Sequence, residues 1–400
     1  MARSKSNFDA EVAQTNAGFF FKEFSFSRTY FRPPGDTERE LADHVIVLGD
    51  RLIVSQLKER KGDTGDPTRE KTWFERKVLA GATKQIRESL RSLQELPVEV
   101  ENERGRSMRL GRSEPAQPRR ITKIVLYRAG RSLPEECRAV KHHASKSVGI
   151  IHVLSCDDWV NLLHTLVTPT EIIDYLDMRE GLLDLYPAAC KAVTEPALAG
   201  QFLVDMRANR PDAGFSEAVF RLEPDYERFD ITGILHSLGQ KASVGSSPIP
   251  GEDLLGATIE RDYYPIMEGL ARFGRSDCAV LKERFMHCWE HCGEDMPLVR
   301  RFVSTSTGIG VLLFAIPPDW VSHTALGLYR VAKLHKYDMQ LRQCIGISFA
   351  RHGDERFIGW IYLDSAWEPD PELATEVANA PKELLPPLRS AHLPPYRFQE

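Results

Sequence analysis

The stretch from Glu40 to Lys58 constrains this chain most, because two short apolar runs meet there at a turn pair. His44 to Leu48 is apolar and β-branched, Gly49-Asp50 supplies the turn, and Leu52 to Leu57 is a second apolar run. That pattern predicts a β-hairpin. Side chains alternate across a strand, so Gln56 and Lys58 share one face while Ser55, Leu57 and Glu59 take the other. An acid at the start of the first strand, Asp43, and a Gln-x-Lys near the end of the second are thereby able to converge.

Convergence of that kind suits phosphodiester hydrolysis, which needs oxygen ligands for Mg²⁺ or Mn²⁺ and a cation beside the attacking water or the developing charge. At Asp43, Gln56 and Lys58 the sequence resembles the PD-(D/E)xK nuclease superfamily, in the Mrr-like restriction branch that carries Gln-x-Lys. The resemblance implies that Asp43 and Gln56 are metal ligands, that Glu40 is an auxiliary acid and ligand, and that Lys58 orients or activates the water. Two departures stand out: Gln56 replaces the second acid and brings no charge, and Ala42 replaces the motif's Pro. Glu59 is a further acid within reach to compensate.

Flanking segments extend the likeness over residues 8–155. Phe8 to Lys22 is expected to be a helix, with Glu11 as a possible helix acid, and Phe24 to Phe31 a strand ending at Pro33-Pro34-Gly35. A helix is expected from about Thr72 to Leu93, with a stripe of Phe74, Val78, Ala82, Ile86 and Leu90. Ile121 to Tyr127 and Val148 to Leu154 read as buried strands. Helix, three strands, helix, strand is the core order of that superfamily. Gln85 lies where recombination-type relatives carry a Gln followed by Tyr, but Ser89 holds the Tyr position.

The fold class expected is α/β: a restriction-endonuclease-like mixed-sheet core in 1–155, a helical connector in 156–210 and a second, α+β domain in 211–400 whose role is sensing, regulation or assembly. Length alone asks for more than one core. In the connector, Trp159, Leu162, Leu163 and Leu166 form one inward face, and Ile172, Ile173, Tyr175 and Leu176 another. In the last domain, helices are expected at Pro224 to Leu238, Tyr264 to Cys292 and Val331 to Arg342. Strands are expected at Gly308 to Ile316, Ile345 to Ala350 and Arg356 to Leu363, with a Pro-rich tail beyond Glu368.

The net charge of −5 does not mark a nucleic-acid binder. Local charge is different: Arg104, Arg106, Arg109, Arg112, Arg119 and Arg120 crowd one stretch, diluted by Glu101, Glu103 and Glu114. Two readings stay open for it, a mobile arm touching phosphates and a solvated insertion. His287, Cys288, His291 and Cys292 lie one helical turn apart in pairs, a spacing compatible with zinc or with an ordinary helix of buried Cys and surface His. Ser304 to Gly310 lacks the Gly-Lys-Ser ending of a P-loop, and Lys141-His-His-Ala reads as a solvent-facing turn. No Gly-x-Ser-x-Gly, His-Glu-x-x-His or Gly-x-Gly-x-x-Gly occurs.

Seven cysteines without framework spacing, and an N-terminus without an apolar core, predict a cytoplasmic protein. No apolar run reaches the roughly 18 residues of a membrane span. DNA is the expected partner, with a homo-oligomer or a defence-system complex as the expected assembly and restriction or anti-phage defence as the setting. The alternative is an inactive nuclease-like scaffold that binds nucleic acid or other partners without cutting.

Overall fold

In the computed structural model the described residues are 7–31, 39–102, 104–111, 118–207, 209–241, 263–388 and 394–399. The Pro33-Pro34-Gly35 break, Glu103, Arg112 and Glu114 lie outside them. The chain is mixed α/β and divides into two compact units, Met1–Glu223 with Phe398–Glu400, and Pro224–Arg397.

The first unit begins with helices α1 (Asn7–Phe19) and α2 (Phe21–Phe24), then β1 (Ser25–Arg28) and a small ribbon of β2 (Tyr30–Phe31) and β3 (Arg39–Glu40). The hairpin follows as β4 (His44–Leu48) and β5 (Arg51–Glu59), with Gly49 at φ +57°, the left-handed conformation its turn requires. A long helical stretch runs through α3 (Pro67–Trp73), a π-helical turn (Phe74–Gly81) and α4 (Ala82–Glu95). After it come β6 (Val98–Asn102), β7 (Ser107–Leu110), β8 (Arg120–Arg128), α5 (Glu135–Arg138), β9 (His142–Ser145) and β10 (Gly149–Ser155). Four helices close the stretch once expected to be a connector: α6 (Cys156–Leu166), α7 (Pro169–Leu185), α8 (Pro187–Ala192) and α9 (Glu195–Val204), with α10 (Ser216–Arg221) after them.

One eight-stranded sheet organises this unit, in the order β7-β6-β1-β4-β5-β8-β10-β9. β5, β8 and β10 run parallel, and the other neighbours are antiparallel. The expected order of helix, three strands, helix and strand can be traced as α1, β1, β4, β5, α3–α4 and β8 only with interruptions: α2, β2 and β3 intervene before the hairpin, and β6 and β7 of the same sheet lie between the helical stretch and β8. The helical stretch covers one sheet face, where Phe74, Val78, Ala82 and Ile86 pack on Val125, Tyr127, Ile151 and Val153. Its stripe keeps a strict four-residue period. The wider π turn, whose hydrogen bonds span i to i+5, offsets the drift a pure 3.6-residue helix would accumulate.

The described part of the Arg-rich stretch is ordered, with Arg104, Arg109, Arg119 and Arg120 exposed. It includes an edge hairpin, β6–β7, turned by Asn102, whose Oδ1 accepts from the backbone N–H of Arg104 (2.9 Å) and Arg106 (3.0 Å). Arg104 pairs with Glu23 at 3.4 Å, and Arg120 with Asp177 at 2.9 Å. His142 and His143 likewise sit in a strand, not a turn, paired to β10.

The second unit contains α11 (Tyr226–Phe229), α12 (Thr232–Lys241), α13 (Tyr263–Ala271), α14 (Arg275–Glu290), β11 (Leu298–Val303), β12 (Gly310–Ala315), α15 (Thr324–Asp338), β13 (Gln343–His352), β14 (Glu355–Asp364) and α16 (Pro371–Asn379). The single helix expected over 264–292 is two, broken before Gly274. The sheet order is β11-β12-β13-β14, with β12 and β13 parallel across the α15 crossover. Its core gathers Val299, Leu312, Phe314, Ile316, Leu328 and Val331.

Candidate active site at the β4–β5 hairpin end

Antiparallel pairing of His44 with Ser55 carries the chain back one residue to set Asp43 across from the Gln56–Leu57 step. Asp43 Oδ2 accepts the Leu57 backbone N–H at 2.6 Å and lies 3.7 Å from Lys58 Nζ, which itself donates to the Leu57 carbonyl at 2.9 Å. Asp43 and Lys58 are thus brought together as the sequence predicts. In the parallel pair with β8, Gln56 stands beside Val125 and Lys58 beside Tyr127, so both lie on the face roofed by the long helical stretch.

Burial pushes the Lys58 ammonium below its ordinary value, against the raising influence of Asp43, Asp9 and Glu40. Gln56 is only 2% exposed, and its Oε1 has no hydrogen-bond partner. A buried amide oxygen without a donor costs about 1–3 kcal/mol, so its retention asks for a ligand or a reason.

The approach to Asp43 is pinned by two residues, Thr29 and Ser89. Leu41 N–H donates to the Thr29 carbonyl at 2.8 Å, and the hydroxyls of Thr29 and Ser89 donate to the carbonyls of Ala42 and Leu41. Ala42 N–H sits 3.4 Å from Thr29 Oγ1, a donor that the Pro of the family motif would lack. Immediately after Asp43, His44 is held inside a buried polar chain. Trp159 Nε1 donates to Asn16 Oδ1 at 2.8 Å, so Asn16 Nδ2 donates to His44 Nδ1 at 3.1 Å. His44 Nε2 then carries the proton and donates to Ser25 Oγ at 2.9 Å. This chain ties α1, β1 and α6 to β4, the strand that follows the acid. The sequence reading took Trp159 only as packing and did not single out Asn16 or His44.

Two further acids act on this centre. Asp9 of α1 and Glu40 of β3 act on Lys58 electrostatically. Glu11 and Glu59 are instead engaged by Arg128, at 2.5 and 3.7 Å, and Arg128 also lies over the Phe8 ring at 4.5 Å. Asp9 and Arg128 were not foreseen; only the folded positions of α1 and β8 reveal them. Gln85 is exposed on α4.

Among the described residues no three His, Cys, Asp or Glu side chains group so as to hold a metal ion. Asp43 and Glu40 therefore form no ready-made acid trio. The donor set at the hairpin end is one carboxylate with a neutral amide oxygen, and the orphaned Gln56 Oε1 is the observation that fits a hard cation there. At the other expected metal motif, Cys288 and Cys292 are buried, whereas His287 takes Arg300 Nη2 at 2.7 Å and His291 bonds the His287 carbonyl at 2.8 Å. Burial pushes the Cys288 thiol up to about 12. The Ser304–Gly310 loop is equally committed: Ser304 and Ser306 donate to Asp277 Oδ2 at 2.8 and 2.7 Å.

No described helix is long and apolar enough to cross a membrane. The chain matches no protein-family model, no curated protein and no solved structure.

Proposed function

We propose that this chain is a metal-dependent nuclease that hydrolyses phosphodiester bonds of DNA at the end of the β4–β5 hairpin. The observation that carries the reading is the pairing of Asp43 and Lys58 beside an unpartnered, buried Gln56 amide oxygen. The strand order β1-β4-β5-β8, with β8 parallel to β5, supports it through the likeness to the PD-(D/E)xK core.

Asp43 and Gln56 would hold Mg²⁺ or Mn²⁺, with Glu40 as an auxiliary acid. A bound divalent ion supplies Lewis acidity toward the phosphate and lowers the pKa of a coordinated water. Lys58, held by Asp43 and the Leu57 carbonyl, presents a cation to the developing phosphorane charge. Its lowered pKa makes release and recapture of a proton at Nζ less costly than for a solvated lysine. Restriction or anti-phage defence is the setting that the resemblance supplies.

A second reading is favoured by the absence of an acid trio among the described residues: a nuclease-like scaffold that binds nucleic acid without cutting. Plasmid cleavage separates the two. With Mg²⁺ or Mn²⁺, the wild type is expected to nick or linearise DNA. EDTA abolishes this, and Lys58→Ala and Asp43→Ala each lower the rate about a hundredfold or more with the fold retained. Cleavage unaffected by either substitution moves the chemistry elsewhere, and retention of plasmid without cleavage under any metal favours the scaffold.

A further inference from the structure

The second unit ends its sheet on an unusual edge. β14 is ten residues long and pairs with β13 without a break in register from Gln343–Asp364 to His352–Glu355. It has no bulge and no proline, and Ile358 to Leu363 carries no charge. None of its ten residues is buried, whereas seven consecutive residues of β13 are. Among the described residues no strand pairs with its outer side. Proteins ordinarily blunt such an edge with charge, bulges or brevity, because its open N–H and C=O groups template another strand.

The charges at its two ends say what that strand is. Arg356 and Asp364 stand eight residues apart, so both project to the same face. Arg356 lies over the Trp289 ring at 5.0 Å, and Asp364 accepts from Arg342 Nε at 3.1 Å and Gln343 Nε2 at 3.0 Å. A complementary strand must place an acid opposite Arg356 and a base opposite Asp364, with an apolar centre between them. β14 itself, run antiparallel, meets all three conditions.

We propose that β14 pairs antiparallel with β14 of a second copy of this chain, on a two-fold axis at Trp360, making one continuous eight-stranded sheet. In that register Arg356 opposes Asp364 of the second copy at both ends. Phe357 opposes Leu363, Ile358 opposes Tyr362, and Gly359 opposes Ile361, pairs that stabilise an antiparallel ladder. A parallel arrangement would set Arg356 against Arg356. This assembly stands independently of the proposed chemistry.

Sedimentation velocity of the full chain across a concentration series tests it. The wild type is expected to convert from monomer to dimer. Arg356→Glu and Asp364→Lys, each placing like charges opposite one another twice, weaken the dimer at least about tenfold. The two single variants mixed in equal amounts restore both contacts and dimerise as the wild type does, and so does the chain carrying both changes. Circular dichroism checks that each variant is folded, and the doubly changed chain keeps the test valid if a single variant is not. A monomer at every concentration overturns the proposal. So does a dimer indifferent to both substitutions, or a mixture no better than its components.

Discussion

Two charged clusters of the first unit are treated in opposite ways. Around Arg179 nearly every donor is spent. Its Nε and Nη2 grip both oxygens of Glu195 at 2.6 and 3.0 Å, Nη1 meets His152 Nδ1 at 2.9 Å, and Nη2 also reaches the Lys141 carbonyl at 3.2 Å. Tyr175 donates to Glu195 at 2.5 Å, and Lys141 Nζ approaches it at 3.7 Å. The guanidinium and Lys141 hold the Glu195 carboxyl down to about 2 despite its burial. At the hairpin end the balance runs the other way: burial outweighs Asp43 at Lys58, and Gln56 Oε1 is left without a donor. The Arg179–Glu195 ion pair is satisfied from within the fold, although His152 Nε2 beside it, 3.8 Å from Glu180, has no hydrogen-bond partner of its own. An unsatisfied acceptor next to a penalised cation is the arrangement on which the proposed nuclease site rests.

The largest effect expected from breaking this contrast is at the satisfied cluster. Arg179→Met strands the Glu195 carboxylate inside the protein and should cost about 3–5 kcal/mol of stability. Urea unfolding followed by circular dichroism measures it. A loss under about 1 kcal/mol would mean that Glu195 finds water or another cation, and the distinction between the clusters would fall. Arg179→Met combined with Glu195→Leu should recover much of the loss, since no charge is then left alone.

A smaller effect follows from His152, which burial and the neighbouring Arg179 push down to about 4 despite Glu180 at 3.8 Å. The native state keeps it neutral where the unfolded chain, near 6.5, takes a proton. Stability is therefore whole above pH 6.5 and is lost as pH falls toward 4, by roughly 3 kcal/mol for this group. Urea midpoints at pH 7 and pH 5 should differ in that direction, and His152→Gln should flatten the dependence. His335 in the second unit, also near 4 through burial and Arg301, imposes the same sign there. The two units should therefore both weaken in acid.

Local pattern carried the hairpin and its motif, because turn chemistry and alternation are written in adjacent residues: Gly49-Asp50, and Gln56 with Lys58. It missed β6–β7 because the arginines there suggested solvent. What shapes that turn is an Asn102 side chain bonding the backbone two and four residues on. It missed β9 because Lys141-His-His-Ala is polar, whereas pairing with β10 is decided across the sheet. The long-range partners of the site were out of reach for the same reason. Trp159, Asn16 and His44 are far apart in sequence, and nothing in their spacing announces a buried chain of hydrogen bonds.

The smallest effect sharpens the contrast most, because its sign is opposite. The ammonium of Lys58 has a folded pKa below its unfolded 10.5, so the native state disfavours the charge it carries at neutral pH. Removing that charge relieves the protein. Lys58→Met, close in shape and neutral, should therefore raise stability slightly at pH 7, where Arg179→Met lowers it. The gain should be full below the folded pKa of Lys58 and vanish as pH rises through 10.5, where neither state holds the proton. Thermal unfolding of the two proteins at pH 7 and pH 10.5 measures it. A Lys58→Met protein less stable than the parent at pH 7 would show that the pairing with Asp43 outweighs burial. The lysine would then be structural, like Arg179, rather than a cation held at a cost for catalysis.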